Sequence, residues 1–205
     1  MAVTINGDGT ISGVSVGGLP DGVVDSGTLA TNSVNSAELI DGAIDSGHLA
    51  SGVGGKIVQV VNTQTGAVIT GTGTTVSDDT PMLNSEGSEF LTLAITPTSA
   101  THKLKIDVVA HTHHNHNTAH YQQAGIFQDT TASALAMSSL YPQLNDRTIF
   151  SFSHFMTSGT TSSTTFKLRM GSPNTGTLTM NGQPAGSRLF GGTLASSITI
   201  TEIAV

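Results

Sequence analysis

The chain of 205 residues has no cysteine and no tryptophan, few charges (10 % of residues) and few aromatics (4 %). The absence of cysteine excludes disulfide stapling and thiolate metal sites. Scarce charge argues against an enzyme, which concentrates charged groups around a cleft. Only seven residues are Lys or Arg, too few for the basic stripe that nucleic acid requires. No basic segment followed by a long apolar run opens the chain, so it reads as having neither a signal peptide nor a membrane-spanning helix. The shortage of positive charge is sharpest at the N-terminus. Residues 1–55 hold Asp8, Asp21, Asp25, Glu38, Asp41 and Asp45 with no Lys or Arg, whereas the remainder is close to neutral. What the chain has in abundance is Gly, Ser and Thr, a composition of strands and turns.

Residues 21–50 repeat with a period of ten: DGVVDSGTLA, TNSVNSAELI, DGAIDSGHLA. The apolar positions are Val24, Val34 and Ile44, and then Leu29, Leu39 and Leu49, five residues apart throughout. Five fits neither a helix of period 3.6 nor a strand of period 2, so each unit must bend. Two apolar positions per ten residues cannot make a core within one chain. Such a repeat gains stability when its apolar positions meet copies of themselves across an axis. This predicts a fibrous, self-associating stem over 21–55. It is preceded by a short segment, 1–20, in which Asn6-Gly7-Asp8-Gly9 marks a turn between Val3/Ile5 and Ile11. That segment is too small to fold alone and needs a partner or a place in an oligomer.

Composition shifts at Lys56, after Gly52-Val53-Gly54-Gly55. From there the pattern predicts strands over 57–63, 67–76, 89–96, 103–116, 121–128, 149–157, 164–170, 176–180 and 198–203. The alternation is cleanest in Leu104-Ile106-Val108-Ala110 and Ile198-Ile200. Residues 133–140 read equally as one helical turn or a strand. Nine or ten short strands without a helical pattern predict an all-β fold, a β-sandwich of jelly-roll type, over 56–205.

The opening INGDGTISGVSVGGLPDG and the decads of form DGxIDSxxLA resemble the N-terminal halves of bacteriophage tail fibres and other virion fibre proteins. The stretches GGKIVQVV, LTLAITPTSATHKLKIDV and SSITITEIAV are similar to the compact β domains that end such fibres. The resemblance implies a virion protein: a homotrimer held by residues 24, 29, 34, 39, 44 and 49. The N-terminal segment would join another virion protein, and the β domain would face a host surface such as a saccharide coat. The alternative is a head-decoration trimer that cements the capsid. Neither role is enzymatic.

One stretch departs from the family pattern. Residues 110–120 hold His111, His113, His114, His116 and His120, five of the eight histidines. On a strand, His111 and His113 share one face and His114 and His116 the other, about 7 Å apart. Either pair could chelate a first-row transition metal, and three copies about an axis would offer six imidazoles. Unperturbed imidazoles also charge near pH 6.5 and would repel one another (the value is that of about 6.5 for a free side chain). The paired carboxylates Asp78-Asp79 and Glu86/Glu89 read as solvated turn charges.

Overall fold

The computed structural model describes residues 4, 5, 7, 11, 12 and 56–205. The stem positions Val24, Leu29, Val34, Leu39, Ile44 and Leu49 lie outside the described residues. The chain divides into two units, Met1–Gly54 and Gly55–Val205. In the first, β1 (Thr4–Ile5) pairs antiparallel with β2 (Ile11–Ser12) around the turn expected at Gly7, which is exposed.

The second unit is an all-β sandwich of ten strands. They are β3 (Ile57–Thr65), β4 (Ile69–Gly71), β5 (Ser88–Ile95), β6 (Lys103–His114), β7 (Gln122–Gln128), β8 (Ala136–Leu140), β9 (Arg147–Thr157), β10 (Thr164–Gly171), β11 (Leu178–Met180) and β12 (Ser196–Ile203). One sheet runs β3-β12-β6-β9, with β11 and β4 continuing beside the far end of β6. The other runs β5-β10-β7-β8. All these ladders are antiparallel, and setting aside the short β4 and β11, successive long strands change sheet at every step except from β7 to β8. That order is the doubled Greek key of a jelly roll.

Two expectations need correction. Only Ile69–Gly71 of the predicted strand 67–76 is β, because Gly71 and Gly73 carry the chain away from the sheet. A Cβ on Gly73 would lie 2.2 Å from the carbonyl carbon of Gly87, so only glycine permits this close backbone crossing. The predicted strand 103–116 stops at His114, which matters for the histidines. The ambiguous 133–140 stretch resolves to strand β8.

The core follows from the alternation. Leu104, Ile106, Val108 and Ala110 of β6 face Ile126, Phe166 and Leu168 of the opposite sheet, and all are buried. On β7 the core takes Ala124 and Ile126. Its other face carries Gln123, Gly125 and Phe127, and Phe127 is buried there too. Its cover is the 74–87 segment, whose Met82 reaches Gly125. That segment is tied down by Glu86, whose two carboxylate oxygens accept the N–H groups of Val76 (2.9 Å) and Leu83 (2.6 Å).

Asn181 closes the other end. Its φ of 59° is one that Asn adopts more readily than most residues. Its Nδ2 donates to the carbonyls of Thr65 (2.7 Å) and Ala67 (3.1 Å), and its Oδ1 accepts from Ser196 Oγ (2.6 Å). One buried side chain thus joins the ends of β3, β11 and β12. Asn181→Ala is expected to cost about 2 kcal/mol, by leaving buried partners unpaired. Urea unfolding checks this; a loss below about 0.5 kcal/mol would mean that neighbouring groups replace those bonds.

Candidate functional site

Strand β6 delivers the histidine segment to one end of the sandwich. Alternation turns Thr112 and His114 inward with Ala110, and His111 and His113 outward. Past His114 the strand ladder ends and residues 115–121 fold back. His116 and His120 return to His114, giving ring centroids 6.2 Å apart for His114–His116, 5.4 Å for His116–His120 and 4.7 Å for His114–His120. The expected His114/His116 pair is therefore brought together, joined by a third imidazole from outside the strand.

The hydrogen bonds assign each ring a role. His116 Nδ1 donates to Thr175 O (3.1 Å) and His120 Nδ1 to Thr118 O (2.8 Å), leaving both Nε2 atoms as acceptors. His120 Nε2 takes a long contact from Gln122 Nε2 (3.4 Å), and Gln122 Oε1 accepts from Thr112 and Thr148. His114 differs: its Nδ1 accepts the N–H of His116 (3.2 Å), so its hydrogen sits on Nε2. Two rings present lone pairs and the third does not. Among the described residues no group of three His, Cys, Asp or Glu side chains is set to hold a metal ion.

His114 is nearly inaccessible. Burial first, then the neighbouring His120, His116 and His113, push its pKa down to about 4. The outward pair is separated from this cluster by the strand itself. His113 is buried, and burial together with the charge of Arg147 lowers its pKa; its Nδ1 has no hydrogen-bond partner. His111 lines a groove of about 140 Å³ with Arg147, Ile149 and Phe190. A guanidinium beside both outward histidines opposes a second cation there.

Sequence reasoning missed Glu202, the one carboxylate among the described residues that is fully buried. It follows Ile198 and Ile200 on the inward face of β12, so a charge on the apolar phase of an alternating strand was the available signal. Its oxygens accept from Gln59 Nε2, Thr98 N (2.8 Å) and Thr98 Oγ1 (2.8 Å), and His102 Nδ1 lies 2.7 Å away. Burial raises its pKa, but these bonds together outweigh burial and bring it to about 2. The other carboxylates hold structure: Glu86 fixes the 74–87 segment and Glu89 lies 3.7 Å from Lys167.

No protein-family model and no curated protein matches this chain. Among solved structures it is similar to that of the infectious bursal disease virus Gx strain, with TM-score 0.33 and 8 % identity over 72 % of this chain and 40 % of that one. The VP2 subviral particle of infectious bursal disease virus gives TM-score 0.32 at 9 % identity, over 72 % and 40 %. The enzymatically active domain of bacteriophage CBA120 tailspike protein 4 gives 0.26 at 15 %, over 60 % and 18 %. This chain spans less than half the length of each. TM-scores of this size carry no argument about function.

Proposed function

We propose that the chain is a structural protein of a bacteriophage virion: a short homotrimeric fibre, seated by its acidic N-terminal segment, whose β-sandwich meets the host surface. The observation that carries this reading is the sequence of parts, a sparse period-ten repeat running directly into a jelly-roll domain. The repeat has too few apolar residues to stand alone. The first strand after it leaves Ile57, Val58 and Val60 exposed at 65 %, 41 % and 55 %, apolar surface that a neighbouring copy would cover. The role proposed is non-enzymatic.

Head decoration is the second reading, favoured by length. Three decads reach at most ~100 Å when fully extended, short for a fibre. Copy number in purified particles separates the two: a few trimers indicate a tail, hundreds a capsid. Light scattering should give a trimer at micromolar concentration, and Leu39→Asp should weaken it, because three buried charges would be forced together. A monomeric wild-type protein would end the fibre reading, and antibody that leaves adsorption to cells unchanged would end the host-surface role.

A further inference from the structure

An open cleft of about 510 Å³ lies beside the β7–β8 pair, on the face turned away from the core, with the 76–80 segment as its far wall. A cleft of this size is within the range that holds small ligands. Its polar lining includes Ser77, Asp78, Asp79, Tyr121, Gln123 and Ser139, and no Lys, Arg or His lines it.

Gln123 is 6 % exposed and pairs in register with Ser139 across the β7–β8 ladder. Its Nε2 donates to Ser77 Oγ (2.9 Å), while its buried Oε1 has no hydrogen-bond partner. That oxygen is closed to solvent in this conformation, so a ligand hydroxyl reaches it only with a turn of the Gln123 side chain, which then satisfies an acceptor otherwise left unpaired. Tyr121 is 47 % exposed, and its ring lies 4.7 Å from that of Tyr141, itself 56 % exposed. The open ring of Tyr121 in the lining, with Tyr141 against it, forms an apolar shelf next to charged acceptors. Asp78 Oδ1 accepts from Thr80 N (2.9 Å) and Thr80 Oγ1 (2.6 Å), which fixes the carboxylate and leaves its second oxygen free.

We propose that this cleft binds a neutral, hydroxyl-rich saccharide, with Tyr121 stacked on the C–H face of a sugar ring and Asp78, Asp79 and Gln123 accepting from its hydroxyls. A sugar is the chemistry that offers an apolar ring face and several donors at once. Hydrogen bonds to carboxylates are stronger than those between neutral groups, and adjacent hydroxyls suit a paired acceptor. The two carboxylates, with no cation beside them, repel sialic and uronic acids. Three copies on one stem would turn a weak single site into firm attachment. The identity of the target as a host glycan rests on the function proposed above; the binding chemistry of the cleft does not.

The test is saturation-transfer NMR on the full chain with the methyl glycosides of glucose, galactose, N-acetylglucosamine and glucuronic acid, and with a trilysine peptide. At least one neutral glycoside should bind and the glucuronide should not. Tyr121→Ala and Asp79→Asn should each weaken binding about tenfold, with the melting temperature unchanged, since both residues sit at the cleft rather than in the core. Binding by no neutral glycoside, preference for the glucuronide, binding of trilysine alone, or binding unaffected by both substitutions would overturn the proposal. Adsorption assays distinguish it from the broader reading. Loss of sugar binding in Tyr121→Ala with undiminished adsorption upholds the cleft and removes the host-attachment role. Adsorption blocked by antibody when no glycoside binds does the reverse.

Discussion

Glu202→Ala is expected to lower the unfolding free energy by about 4 kcal/mol, in the range seen when one partner of a buried charged network is removed. The side chain is completely buried, and alanine would leave the Gln59 amide, both donors of Thr98 and the His102 ring without their common acceptor. These partners lie on β3 and on the turn leading into β6, so the loss would loosen three segments at once. The substitution has a pH signature. A carboxylate whose pKa is about 2 when folded and 4.5 when unfolded stabilises the fold above pH 4.5. As pH falls from 4.5 toward 2 that contribution, about 3 kcal/mol, is lost. The wild-type protein should weaken across this window, and Glu202→Ala should lose that part of the fall. Urea unfolding at several pH values reads both effects. A destabilisation below about 1 kcal/mol would show that water or rearranged side chains take over the network.

Acidification from pH 6.5 to 4 is expected to cost a further ~3 kcal/mol through His114. The sign is set by a folded pKa of about 4 against an ordinary value of 6.5. Above pH 6.5 both states are neutral and the group contributes nothing. Between 6.5 and 4 the unfolded chain takes up a proton that the folded protein refuses, so stability falls, levelling off below 4. The cause is burial of the ring together with the imidazoles of His120, His116 and His113 around it. His114→Phe keeps a ring in the same space and should remove the larger part of this limb, leaving that of His113 and the Glu202 limb in place. NMR titration supplies the direct check. A His114 pKa near its ordinary 6.5 would mean that the end of the sandwich is wet and the expected loss does not occur.

Local pattern determined a large part of this protein. Alternation in Leu104–Ala110 and in Ile198–Ile200 identified β6 and β12 and their inward faces, because side chains on a strand alternate whatever the strand is paired with. The same rule placed His111 and His113 on one face and His114 on the other. Lack of charge and of helical periodicity was enough to predict an all-β domain after Lys56, and the structure bears out the sandwich. Tertiary structure alone decided the rest, since each remaining feature joins residues that no local pattern relates. The histidine cluster formed because β6 ends at His114 and the chain turns back, bringing His120 within 4.7 Å of it. Glu202 stood out in the sequence only as a charge in the apolar phase of β12; its role came with partners from positions 59, 98 and 102. The cleft exists because a glycine crossing at Gly73 and Gly87 lays the 74–87 segment over β7. Alternation states which face a side chain takes; only the pairing order of strands states what meets it there.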